Sequence, residues 1–297
     1  MTTLTGILPV LQTPFADDDT IDHDALRREV DFVVACGAHG LVVPAIASEY
    51  RALSDPERRA LVETVVARAA GRLPVVAGVS AADPATALAL AGHARAVGAD
   101  AVMALPPDRP ETEALAFYRA LAEAAARPVV LQNAGAALGR SLPTARVRQI
   151  VATVPGVRHV KEERTPAGHH MSDLLAGDAA GRPDGVLGGS AGMDLPAELA
   201  RGATGCMPSA AVADVLVALW DAWQSGDRGR ARDLHAAVLP LLTMEMSVMM
   251  AVSKEVLRRR GVLPSTRMRD PEFPALDAGD HAELDALWPR VERLFGV

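Results

Sequence analysis

Lysine is almost missing from this chain. Of 30 basic residues among 297, only Lys161 and Lys254 are lysines, and the rest are arginines. Arginine serves solubility and surface charge, but its guanidinium keeps its proton and cannot attack a carbonyl. Any amine nucleophile on a side chain is therefore one of two residues. Cysteine is equally scarce. Cys36 and Cys206 are too few for a disulfide framework, and neither has a His or Cys at metal-ligand spacing. The formal charge of −7, with no basic stripe and no arginine–aromatic interleaving, argues against a nucleic-acid surface. No run of 18 apolar residues occurs, so no membrane span is expected. The opening Met1-Thr2-Thr3-Leu4-Thr5 has neither a charged n-region nor a long apolar h-region, which points to a cytoplasmic protein. No Ser-His-Asp arrangement, zinc spacing or G-x-G-x-x-G fingerprint is found.

What is present is a regular alternation. Hydrophobic residues make up 49% and charged residues 23%, the balance of a globular protein with a sizeable core. Eight short apolar runs, at 7–11, 41–44, 74–78, 101–105, 128–132, 157–161, 185–187 and 203–207, read as strands. Helical patterns lie between them, among them 22–36, 55–70, 84–97 and 111–125. Ser54-Asp55-Pro56-Glu57 is a helix start, and Gly37, Gly98 and Gly202 each close a helix just before a strand. Eight strand–helix units of this size predict the α/β class and a (β/α)8 TIM barrel. The eighth helix falls at 212–225, giving a barrel over 1–225 and a C-terminal helical extension over 226–297. Within that extension helices are expected at 227–242, 244–260 and 282–295, with Met244, Met246, Met249 and Met250 as core filler.

In a barrel of this kind the chemistry sits at the C-terminal ends of the strands. Lys161 ends the sixth strand, where partial desolvation suits an amine that forms an imine with a keto acid. The plainer alternative is a rim lysine paired with Glu162 or Glu163. His159 lies two residues earlier and so shares a face with Lys161, either as a hydrogen-bonded core residue or as an influence on the lysine's proton affinity. Gly188-Gly189-Ser190-Ala191-Gly192, after the seventh strand, is a candidate anion cradle or simply a tight turn. Ser48-Glu49 after the second strand could offer amides to an anion.

Several segments together resemble the dihydrodipicolinate synthase / N-acetylneuraminate lyase family. They are Gly6-Ile7-Leu8-Pro9-Val10-Leu11-Gln12-Thr13-Pro14-Phe15, Gly37-Ala38-His39-Gly40-Leu41-Val42-Val43, Val160-Lys161-Glu162-Glu163, Arg201-Gly202-Ala203-Thr204-Gly205 and Lys254-Glu255-Val256-Leu257. The resemblance implies a metal-independent lyase, with no cofactor, acting on a small 2-oxo acid through a Schiff base on Lys161. It also implies a homo-oligomer, a tetramer or a dimer. The family's carboxylate-binding turn, usually rich in threonine, reads Ala45-Ile46-Ala47-Ser48-Glu49 here, leaving Ala47 and Ser48 for that role. Where the family has Tyr-Asn, this chain has Gln132-Asn133, and the arginine that follows in the synthases aligns with Ala137. Pro106-Pro107 stands where the synthases carry a pair of tyrosines. The resemblance thus points away from the lysine-biosynthetic synthase and towards branches that cleave or dehydrate 2-keto-3-deoxy sugar acids. Gln132 becomes a candidate catalytic residue, Asn133, Gly188 and Gly189 become candidates for substrate binding, and His159 and Glu162 for proton transfer. Two rivals stay open: a phosphate-binding barrel enzyme using the 188–192 loop, and a non-catalytic keto-acid sensor.

Overall fold

Each apolar run becomes a strand, and the strands join in parallel. The computed structural model describes residues 4–135, 140–176 and 179–297. Its strands are β1 (Gly6–Ile7), β2 (Leu41–Val43), β3 (Val75–Gly78), β4 (Ala101–Ala104), β5 (Val129–Asn133), β6 (Val157–Glu162), β7 (Gly185–Gly188) and β8 (Gly205–Cys206). They form one sheet in the order β1-β8-β7-β6-β5-β4-β3-β2. The ring closes beyond the end of β1, where Val10 bridges both Val42 and Ser209 in parallel. Hydrogen bonding to the β8 side continues past Ile7, with the Leu8 N–H donating to the Cys206 carbonyl at 2.9 Å and the Val10 N–H to the Pro208 carbonyl at 2.7 Å.

Alternation along the strands sorts the apolar residues into two cores. Val42, Val76, Met103, Val130, Leu187 and Met207 point inward and fill the barrel. Their neighbours Val43, Ala77, Val102, Leu131, Val186 and Cys206 point outward into the larger layer under the helices. Fully burying one such side chain stabilises the fold by roughly 1.5–3 kcal/mol.

The helices of the barrel are α1 (His23–Ala35), α2 (Asp55–Ala69), α3 (Pro84–Val97), α4 (Ala114–Ala125), α5 (Thr144–Thr153), α6 (Ala167–Leu175), α7 (Leu195–Ala200) and α8 (Ala213–Gln224). α2 starts on a full capping box, with the Ser54 N–H donating to Glu57 Oε2 at 2.8 Å and the Ser54 hydroxyl accepting from the Glu57 N–H. Such a cap contributes about 1 kcal/mol. Gly98, at φ 93°, ends α3 in the left-handed region that glycine enters freely.

Three helices follow: α9 (Arg228–Val248), α10 (Met250–Arg259) and α11 (Ala278–Val291). The α9–α10 break lies at Met249 rather than near residue 243, and α11 begins earlier than its apolar pattern suggests because Asp277 and Asp280 cap each other. The extension is pinned to the barrel by the chain's other lysine. Lys254, 0% exposed, donates to Glu49 Oε1 at 2.5 Å and to the Arg267 carbonyl at 2.7 Å. Glu49 Oε2 also accepts the N–H groups of Arg269 at 2.7 Å and Asp270 at 2.8 Å. This pairing places α9 and α10 over the C-terminal mouth of the barrel. Among the described residues no helix is long and apolar enough to cross a membrane.

Candidate active site

Strand parity decides which side chains reach the mouth. In β5 and β6, Gln132 pairs in register with Lys161, and Asn133 with Glu162. The first pair points into the barrel and the second points outward. Continuing by two residues puts Glu163 inside as well. Lys161 is 5% exposed, and its Nζ lies 3.1 Å from Glu163 Oε1. Glu163 Oε2 accepts from Gln132 Nε2 at 2.9 Å, and Oε1 accepts from the Ser190 N–H at 3.3 Å. A carboxylate can only accept, so the Gln132 amide must present its NH₂ group. Three donors thus converge on one buried carboxylate beside the amine.

These residues border a narrow cavity of about 60 Å³. Its walls include the Ala45–Ala47 turn, Ser190 and Ala191, Met207 to Ser209, and Glu245, Met246, Met249, Met250 and Ser253 from α9, α10 and their joint. Met246, Met249 and Met250 are therefore cavity wall rather than plain core filler. Three backbone positions on this rim have positive φ without being glycine: Ser190 at 48°, Ala191 at 56° and Met249 at 53°. Such residues cost on the order of 1 kcal/mol each and persist where surrounding structure demands them.

Several expected residues are used elsewhere. Glu162, fully buried, faces away from Lys161; it accepts from Arg164 Nε at 2.8 Å and from Asn133 Nδ2 at 2.9 Å. Asn133 also clasps the chain ahead of α5, its Oδ1 accepting the Leu142 N–H at 2.7 Å. Neither side chain borders the cavity, so Glu162 is replaced by Glu163 as the carboxylate next to the lysine. His159 shares the inward face but sits at the closed end of the barrel, where its Nε2 accepts the Leu4 N–H at 3.2 Å. Burial pushes its pKa down to about 4, so it is neutral at physiological pH, away from the cavity. The Ser48 hydroxyl donates to the Leu11 carbonyl at 2.5 Å and accepts the Ala45 N–H at 3.0 Å, which commits it to its own turn. Ala47 does border the cavity. Ala137 lies outside the described residues.

The glycine pair has a steric origin. A Cβ at Gly189 would lie 2.1 Å from Glu163 Oε1, and one at Gly188 would lie 2.0 Å from Glu198 Oε2. Glu198, on α7, is buried; desolvation first, then Asp194 and Glu163, push its carboxyl up to about 8. The 188–192 loop is therefore occupied by two carboxyl groups, and its Ser190 amide already serves Glu163. A phosphate there would compete with the Glu163 carboxylate for the Ser190 N–H, so the loop is not a free phosphate cradle.

Among the described residues, no group of three or more His, Cys, Asp or Glu side chains is set to hold a metal ion. The two tyrosines are also elsewhere. Tyr118 is buried and donates to the Ala104 carbonyl at 3.0 Å, and Tyr50 packs against Ile46 with Arg58 over its ring. The carboxyl groups that border the cavity with Lys161 are Glu163 and, on its far wall, Glu245. Strand parity could have identified Glu163 from the sequence. Nothing in local sequence signals Glu245.

The chain is 33% identical to L-2-keto-3-deoxyarabonate dehydratase of Azospirillum brasilense, over 97% of this chain and 95% of that protein. It is 32% identical to 4-hydroxy-tetrahydrodipicolinate synthase of Methanopyrus kandleri, over 80% of this chain and 79% of the other. Its fold matches the crystal structure of dihydrodipicolinate synthase from Rhodopseudomonas palustris with a TM-score of 0.90 at 32% identity, covering 97% of each chain. The dihydrodipicolinate synthetase family model matches residues 3–287, and with the eight-stranded parallel barrel this makes the chain a member of that family of lyases.

Proposed function

We propose that this protein dehydrates or cleaves a small 3-deoxy-2-oxo sugar acid through an imine on Lys161, and that it is not a dihydrodipicolinate synthase. The observation that carries the reading is the Glu163 carboxylate 3.1 Å from Lys161 Nζ, with Gln132 hydrogen-bonded to it and, among the described residues, no tyrosine at the cavity. The substrate's carboxylate would lie against the turn that carries Ala47. Glu163 takes a proton from Lys161 Nζ, and the amine attacks C2 to form a C–N bond. That proton and one of the two left on nitrogen go to the keto oxygen, which leaves as water and gives a protonated imine. Glu163 takes a proton from C3, and the C–H electron pair becomes the enamine double bond. In dehydration the enamine expels the C4 hydroxyl, which leaves as water with a proton returned from the site, and the imine re-forms. Cleavage instead starts from the protonated imine with C3 still carrying both hydrogens. Glu163 takes the proton of the C4 hydroxyl, the C3–C4 bond breaks, its electron pair becomes the enamine double bond, an aldehyde departs, and the proton returns to C3 to re-form the imine. Hydrolysis of the imine frees Lys161 in both cases.

The 33% identity to a protein named L-2-keto-3-deoxyarabonate dehydratase supports the sugar-acid class, while the 32% identity to a synthase keeps the comparison open to test. Steady-state assays against 2-keto-3-deoxy pentonates and hexonates, and against pyruvate with aspartate semialdehyde, separate the two. Turnover of a sugar acid with no condensation is expected. Condensation at a rate matching or exceeding the sugar-acid reaction overturns the reading. Binding without turnover of any compound assigns a keto-acid sensor instead. The homo-oligomer implied by the family resemblance is carried as part of the same proposal, and light scattering of the purified protein tests it.

A further inference from the structure

The Lys161 cavity has a second polar patch that the imine chemistry leaves unused. Glu245 on α9 is 8% exposed and borders the cavity among Met246, Met249 and Met250. Among the described residues it has no ion-pair partner; its Oε2 accepts from the Ser209 hydroxyl at 3.0 Å. The neighbouring Ser253 hydroxyl is buried at 1% exposure, borders the same cavity and lies beside the Glu245 carboxyl. A hydroxyl has one donor and two acceptor lone pairs, so Ser209 and Ser253 keep capacity for a ligand beyond a single contact with Glu245. Methionine walls alone would suit an apolar occupant; a carboxyl flanked by two serines does not. We propose that Glu245, Ser209 and Ser253 form a subsite for the hydroxyl groups of the substrate portion beyond the keto carbon, selecting polyhydroxylated 2-oxo acids over simple ones.

Burial raises the Glu245 carboxyl to about 7, against the opposing pull of Ser209 and Ser253. Near neutrality it therefore exists partly as an acid, offering a donor and an acceptor together. Sugar hydroxyls are donor and acceptor as well, and the serines match them for the same reason. A site built around such groups discriminates strongly against analogues lacking the hydroxyl, because its own polar atoms are then left unpaired. The placement follows from the fold. The Lys254–Glu49 pair holds α9 and α10 over the mouth, so the extension supplies the specificity while the strands supply the chemistry.

The proposal rests on the imine at Lys161, and its test separates the two ideas. Borohydride trapping is titrated with pyruvate, which has no hydroxyl, and with a 2-keto-3-deoxy pentonate, and the half-saturating concentration is read for each. In Glu245→Ala the value for the pentonate should rise about 10- to 100-fold, the loss expected for a hydrogen bond to an ionisable group. The value for pyruvate should move far less. Glu245→Gln, which keeps a donor and an acceptor, should recover most of the pentonate affinity, and Ser253→Ala should show a smaller loss of the same kind. Equal losses for both compounds mean a structural role and overturn the proposal. So does a Glu245→Gln variant that binds normally but has lost turnover, since that assigns proton transfer. If neither compound traps on the unaltered protein, the imine reading fails. The subsite is then read by thermal shift with the pentonate: stabilisation lost in Glu245→Ala upholds it, and no stabilisation of the unaltered protein overturns it.

Discussion

Replacing Glu163 by glutamine removes one charge and one proton acceptor while keeping the side chain's shape. In the native site Glu163 accepts from Lys161 Nζ at 3.1 Å, Gln132 Nε2 at 2.9 Å and the Ser190 N–H at 3.3 Å. The glutamine oxygen can keep the contacts made by Oε1. Its NH₂ group then faces Gln132, whose amide can turn over to present its oxygen. Packing and hydrogen bonding thus survive, and Tm should fall by only a few degrees, equivalent to about 1 kcal/mol. What is lost is the base for C3. General acid–base catalysis by a positioned carboxylate contributes about 10²- to 10⁴-fold, or roughly 3–5 kcal/mol of barrier. Turnover of the sugar acid should drop by that factor, whereas borohydride trapping on Lys161 should persist, because imine formation needs the amine and proceeds, more slowly, with water as proton carrier. A variant with turnover within fivefold of the native enzyme would refute the assignment of Glu163. So would one that folds but forms no imine, since that places Glu163 in amine activation alone.

Two further variants probe the supports of the site. In Gly189→Ala the new Cβ would lie 2.1 Å from Glu163 Oε1, so the carboxylate must swing away from Lys161; turnover should fall about 100-fold for a stability loss of about 1–3 kcal/mol. Gly188→Ala meets Glu198 instead, and should destabilise similarly with a smaller effect on turnover; equal kinetic effects contradict the steric reading. Lys254→Met removes one partner of a pair whose members are 0% and 1% exposed, leaving a buried carboxylate with two backbone donors. That should cost about 3–5 kcal/mol and lower Tm on the order of 10 °C in calorimetry. Adding Glu49→Gln to it should cost less than the sum of the single changes, and strict additivity would deny the coupling.

The barrel was legible because each of its signals is local: apolar runs, the Ser54–Glu57 cap and the glycines before strands. Lys161 was legible because lysine is so rare that its position at a strand end stands out. Period-two alternation puts His159 and Lys161 on one face, and one further step reaches Glu163, whereas Glu162 falls on the opposite face. Non-local features were not legible. Gly188 and Gly189 are glycine because Glu163 and Glu198, distant in sequence, press against them, yet a glycine pair in isolation resembles an anion cradle. Glu245 reaches the cavity only because α9 runs on to Val248 and the Lys254–Glu49 pair holds the extension in place. The bend at Met249 has no glycine or proline to announce it, so the four methionines there looked like an ordinary buried stripe.

The most direct test is to treat the full-length protein with borohydride in the presence of pyruvate or a 2-keto-3-deoxy sugar acid, and to locate the reduced adduct by peptide mass spectrometry. With only two lysines in the chain the answer is unambiguous. A single adduct on Lys161, absent from Lys161→Arg and from samples without borohydride, is the predicted result. An adduct on Lys254, or none with any 2-oxo acid under conditions where the protein turns one over, would contradict the imine mechanism.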